Sequence, residues 1–224
     1  MSHFTVGVLI DKNGKELEEL LAPYQENNMG DCPKEYLEFN DCTDEVLNSW
    51  EEHKKDYEDI DTFAYEYHGY KKDAETGKYG YWENPNAEWD WYVIGGRWRN
   101  SLLKKDGTRC NYSELINIDW ETMRYLAAKE AEKTWDANPQ GIERYFSGIE
   151  KNDTRERYIK RESEFSTYAV ITPDGEWHSK GKMGWFGISS ETEEESNEWS
   201  NSFYDTFIKN ADTELVLVIV DCHI

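Results

Sequence analysis

Basic residues are scarce in this chain: 25 Lys and Arg stand against 47 Asp and Glu, a formal net charge of -22 over 224 residues. That imbalance repels a polyanion, so direct binding to nucleic-acid phosphate is not expected as the main activity. Long apolar runs are missing too. The longest, Leu215 to Val220, falls far short of the roughly 20 residues needed to cross a bilayer, so no membrane partner is expected. The opening Met1-Ser2-His3 has no basic n-region, and Phe4 to Ile10 is soon interrupted by Asp11. The expected compartment is therefore the cytoplasm, without a secretory leader. Cys32, Cys42, Cys110 and Cys222 form no C-x-x-C pair, which excludes the spacing of a zinc ribbon or a thioredoxin-like redox centre. G-x-S-x-G, P-loop, H-E-x-x-H and G-x-G-x-x-G motifs are all absent, which lowers the expectation of an enzyme, and no cofactor is expected.

Aromatic residues, in contrast, are plentiful at 15%, with 10 Trp and 15 Tyr. Disordered acidic chains lack such residues, so a folded core is expected. Phe4 to Ile10 and Leu215 to Val220 are apolar on both alternating faces, the pattern of strands inside a covered sheet. Helices are expected at Thr43–Tyr57 with Thr43 or Asp44 as cap, from Asp119 to a stop at Asn138-Pro139, and at Thr192–Lys209 with Ser190 and Glu193 as a capping box. Two hairpins are expected. One runs from Trp89–Ile94 through Gly95-Gly96 into Arg97–Leu103, the other turns at Pro173-Asp174-Gly175. Lys71–Pro85 and Asp136–Glu164 read as loops or peripheral helical pieces. Together these give an α+β fold, a mainly antiparallel sheet containing the N- and C-terminal strands and flanked by helices. The expected organisation is a single domain over 1–224 with a peripheral helical or loop insertion around 105–165.

Three constellations carry possible chemistry. In Trp89-Asp90-Trp91-Tyr92-Val93-Ile94-Gly95-Gly96-Arg97-Trp98, Arg97 beside Trp89, Trp91 and Trp98 offers a planar cation next to stacking faces, a combination suited to a nucleotide. The competing reading is a hairpin whose tryptophans fill the core. If the terminal strands pair antiparallel, His3 meets Asp221 and His223, which share a face. Such a group suits acid/base work or a divalent metal, or simply terminates the strands. His3-Phe4-Thr5 matches half of a two-histidine phosphoesterase signature, but no second H-x-[ST] follows. The third constellation is acidic: Glu191, Glu193, Glu194 and Glu195 form one of several clusters that read as solvated helix faces or as mimics of nucleic-acid charge.

The blocks Met1–Thr5, Leu21-Ala22-Pro23-Tyr24, Trp89–Trp98, Met183-Gly184-Trp185 and Val220–Ile224 resemble a family of proteins from bacteriophages and mobile elements. That family carries no assigned activity, so the resemblance implies a phage context rather than a mechanism. Its members are longer between the central block and the C-terminal third. With the charge, this context leads to the expectation of a phage-encoded, acidic, non-enzymatic inhibitor that binds the basic surface of a host nucleic-acid-binding defence protein in the host cytoplasm. The alternatives are a nucleotide sponge or hydrolase built on the Arg97 and tryptophan pocket, and a homo-oligomeric accessory protein.

Overall fold

The computed structural model describes residues 2–138, 143–184 and 188–224; Met1, Pro139 and Trp185, used in the readings above, lie outside them. The chain forms two compact units, one made of residues up to Leu21 with Trp91–Ile224 and the other of Ala22–Asp90. Strand β1 (His3–Ile10) and helix α1 (Leu17–Leu21) open the first unit. The second unit then supplies β2 (Glu38–Asp41), α2 (Thr43–His53), α3 (Ile60–His68), β3 (Lys71–Lys72) and β4 (Tyr79–Glu83). The first unit resumes with β5 (Trp91–Ile94), β6 (Leu102–Leu103), β7 (Arg109–Cys110), β8 (Tyr112–Glu114) and α4 (Trp120–Ala137). It is completed by α5 (Glu143–Phe146), α6 (Arg155–Ser163), β9 (Ala169–Ile171), β10 (Trp177–Ser179), α7 (Glu193–Phe203) and β11 (Val216–His223).

The fold is α+β, and the main sheet is mainly antiparallel with the order β10-β9-β1-β11-β5, β8 also pairing with β11. Both terminal strands are interior, as their β-branched, two-sided apolar sequences require. They pair antiparallel from His3↔His223 to Ile10↔Val216, and Ser2 and Ile224 close the ladder with reciprocal backbone bonds of 3.2 Å. On one face, Leu9, Leu217, Ile219 and Val170 pack with Phe203, Ile208, Leu102, Leu115 and Ile118. Trp120 and Met123 from α4 and Trp199 from α7 add to that core. Each fully buried Leu, Ile or Phe there contributes about 1.5–3 kcal/mol.

Asp119 caps α4 as expected, accepting from the Thr122 amide at 3.0 Å. The capping box of α7 lies two residues further on than expected. Thr192 and Glu195 form it, while the Ser190 hydroxyl accepts instead from the Lys182 amide at 2.8 Å. Helix α7 then widens into a π-helical turn, Tyr204–Ile208. At α2 neither Thr43 nor Asp44 caps: Cys42 holds that position and the Asp41 carboxylate accepts from the Thr43 amide. The hairpin expected from Trp89 to Leu103 does not form. Gly95 and Gly96 adopt positive φ (76° and 45°) and lead into a 3₁₀ turn rather than a two-residue strand reversal. Strand β5 therefore pairs with β11, and β6 pairs with β7. The β9–β10 hairpin at Pro173-Asp174-Gly175 is present.

Within the second unit, β2, β4 and β3 make a small antiparallel sheet, so Lys71–Pro85 holds two strands and is not a loop. Val46, Phe63, Ala64 and Tyr79 form its core, while Leu47 on α2 is exposed. Between residues 105 and 165, Leu115 and Ile118 belong to the first unit's core, and the segment that stands as a unit of its own is Ala22–Asp90.

Candidate functional site

The β1–β11 register sets His3, Thr5, Asp221 and His223 on one sheet face, and β5 adds Trp91 opposite His223. Cys222 pairs with Phe4 on the other face and is buried. His3 Nδ1 lies 2.8 Å from Asp221 Oδ1, and the Arg97 amide donates to Asp221 Oδ2 at 2.8 Å. An ionised carboxylate only accepts, so in this contact His3 Nδ1 is the donor. The Asp221 side chain is 4% exposed and that of His3 13%. Around them, His223 stacks on Trp91 at 4.9 Å and 17°, and His3 meets both rings edge-on, at 5.1 Å from His223 and 5.4 Å from Trp91.

This arrangement depends on the glycine pair. A Cβ on Gly96 would fall on the Asp221 carboxylate, and the positive φ of Gly96 is one that L side chains rarely adopt. Only glycine lets the backbone come close enough for the Arg97 amide to reach Asp221. The opening, central and closing blocks of the sequence thus converge at one place.

His3 also lines a cleft of about 250 Å³ with Thr5, Trp98, Ser166, Lys180 and Trp199. Thr5, Trp98, Ser166 and Thr167 are shared with an adjoining cleft of about 230 Å³. Lys180 is held by Glu191 at 3.0 Å and by the Ser196 hydroxyl at 3.3 Å. Burial pushes the Glu191 carboxyl up, but the Ser189 hydroxyl and Lys180 outweigh it and keep the group below its usual range.

The sequence-derived candidates separate accordingly. His3, Asp221 and His223 come together, with Trp91 stacked on them. Trp98 packs on the core and lines the cleft. Arg97 contributes its backbone amide while its side chain is exposed, and Trp89 is buried within the second unit. Glu191 is tied to Lys180, Glu195 serves the α7 cap, and Glu193 and Glu194 are exposed. Among the described residues no group of three or more His, Cys, Asp or Glu is arranged to hold a metal ion. In the His3 group, His3 Nδ1 and both Asp221 oxygens are already engaged with each other and with Arg97. Sequence reasoning missed Lys180, Ser166 and Trp199. Each is an ordinary surface or core residue in sequence, and only the packing of α7 (Trp199), the segment before β9 (Ser166) and the residue following β10 (Lys180) brings them to the cleft beside His3. A buried ion cluster was missed as well: Arg161 binds Asp153 and Asn197, each at 3.1 Å.

No family model, curated protein or solved structure matches this chain. Among the described residues no helix is long and apolar enough to cross a membrane.

Proposed function

We propose that the chain binds a small polar aromatic ligand, a nucleotide, in the cleft beside His3, with the His3–Asp221 pair taking the proton from a water whose oxygen attacks a phosphorus of the nucleotide, while the P–O bond to the leaving group breaks and the departing oxygen receives that proton. The observation that carries this reading is the convergence of three distant sequence blocks on one histidine–carboxylate pair, its carboxylate buried, at a cleft. A carboxylate that fixes the tautomer and orientation of an imidazole is a recurrent acid/base device, and the cleft offers both stacking faces and a lysine. The compartment in this reading is the cytoplasm. The test is calorimetric titration with nucleoside mono- and triphosphates, together with product analysis. Wild type is expected to bind and turn over a nucleotide, and His3→Ala to keep binding within a few-fold while losing turnover by at least 10²-fold. Binding without turnover in wild type would reduce the protein to a sponge; no binding would remove the reading.

A second reading, the phage-encoded acidic inhibitor of a basic host protein, is favoured by a different observation. Glu193, Glu194 and Glu198 are exposed on α7, and among the described residues no Lys or Arg pairs with them. Reversal of Glu193 and Glu194, which spares the capping residue Glu195, is expected to weaken a salt-sensitive complex with an identified basic partner. Unchanged affinity in low salt would discard that surface.

A further inference from the structure

The cleft of about 230 Å³ is walled by Trp98, Trp120, Phe165 and Tyr204. Trp120 meets Phe165 edge-on at 5.1 Å and Tyr204 at 5.4 Å, so the walls are ring faces and edges held at fixed angles. Arg124 also lines it, lying over Tyr204 at 5.2 Å, but its guanidinium is taken by Glu164 at 2.9 Å. Arg124 is thus committed to Glu164, as Lys180 in the neighbouring cleft is to Glu191, and the rings dominate the wall at this end. One polar atom stands apart. Ser101 lines the same cleft, and its Oγ is buried with no hydrogen-bond partner among the described residues. A buried hydroxyl left without a partner is costly, and the cost disappears when a ligand atom supplies the bond.

Aromatic walls with a single unsatisfied hydroxyl suit a flat ring that carries a polar atom at its edge. An aliphatic chain would leave Ser101 unsatisfied, and a sugar phosphate would bury charge among rings without a counter-ion. We infer that this cleft is the subsite for the heteroaromatic base of a nucleoside, with Ser101 Oγ hydrogen-bonded to a ring-edge nitrogen or exocyclic atom. The rest of the ligand passes Thr5 and Ser166, which line both clefts, toward His3 and Lys180. The inference rests on the nucleotide reading above and adds to it where the base sits and which residue reads it.

The test compares adenosine 5′-monophosphate, adenosine and ribose 5-phosphate by calorimetry on wild type and on Ser101→Ala. That substitution removes an unsatisfied hydroxyl, so the variant is expected to melt no lower than wild type. Adenosine and its monophosphate are expected to bind at least tenfold more tightly than ribose 5-phosphate. Ser101→Ala should weaken both by about tenfold, the loss of one good hydrogen bond, and leave ribose 5-phosphate unaffected. Equal binding of ribose 5-phosphate and the nucleotide, or identical nucleotide affinity in Ser101→Ala, overturns the base subsite while the cleft beside His3 stands. If none of the compounds binds, the wider nucleotide reading falls with it.

Discussion

Gly96 is the residue with least latitude in the site, because any side chain there collides with Asp221. Gly96→Ala is expected to lower stability by about 2 kcal/mol or more, through both the left-handed backbone and the lost Arg97 amide contact; chemical denaturation checks it. Glu191 gives a pH test. Its carboxyl is held below the ordinary value of 4.5 in the folded chain. It therefore contributes stability above that value, and the contribution is lost as pH falls through the lower, folded-state value. Melting temperature followed from about pH 7 to about pH 3 should fall in wild type, and Glu191→Gln should flatten the acid part of the curve. An acid limb as steep in the variant as in wild type would show that the Lys180–Glu191 pair adds nothing. His3 and Asp221 were legible in sequence because a strand's period of two fixes which residues share a face. Lys180 and Ser101 were not, since neither has a neighbour in sequence that marks it.

At the scale of elements, the segments with the strongest local signals fold as those signals dictate. The β-branched runs of β1 and β11, the Asp119 cap of α4 and the Pro-Asp-Gly turn of β9–β10 each carry their structure within a few residues. Failures came where two local solutions compete. Ser190 with Glu193 and Thr192 with Glu195 both satisfy the capping-box pattern, and the bond from the Lys182 amide to Ser190 decides between them. Gly95-Gly96 reads as hairpin chemistry, yet β11 offers β5 a longer pairing partner than the residues after the turn. Strand β3 is two lysines with no apolar residue, and β4 has Tyr79, Tyr81 and Trp82 but is broken by Gly80 inside a Gly- and Lys-rich stretch that reads as loop; the buried Tyr79 packs with residues of α2 and α3. Thr192→Ala is expected to cost about 1 kcal/mol, whereas Ser190→Ala should leave the α7 cap intact. Urea unfolding of Thr192→Ala checks the assignment, and stability equal to wild type would contradict the Thr192 cap.

For the molecule as a whole, the formal charge of -22 makes salt the variable that separates the two functional readings. Screening removes general repulsion between an acidic protein and an anionic ligand, so nucleotide affinity is expected to hold or rise between about 0.05 and 0.3 M salt. Affinity for a basic protein should fall over the same range. A nucleotide affinity that drops steeply with salt would place the ligand on surface cations outside the cleft. The most direct measurement is native mass spectrometry of the protein incubated with a mixture of nucleoside 5′-monophosphates, beside a Ser166→Trp variant that adds bulk at a residue lining both clefts. One-to-one adducts on the wild-type chain that disappear in a folded Ser166→Trp variant are the expected result. Bare chain mass in both, or adducts that survive the blockage, would contradict a nucleotide site at the His3–Asp221 cleft.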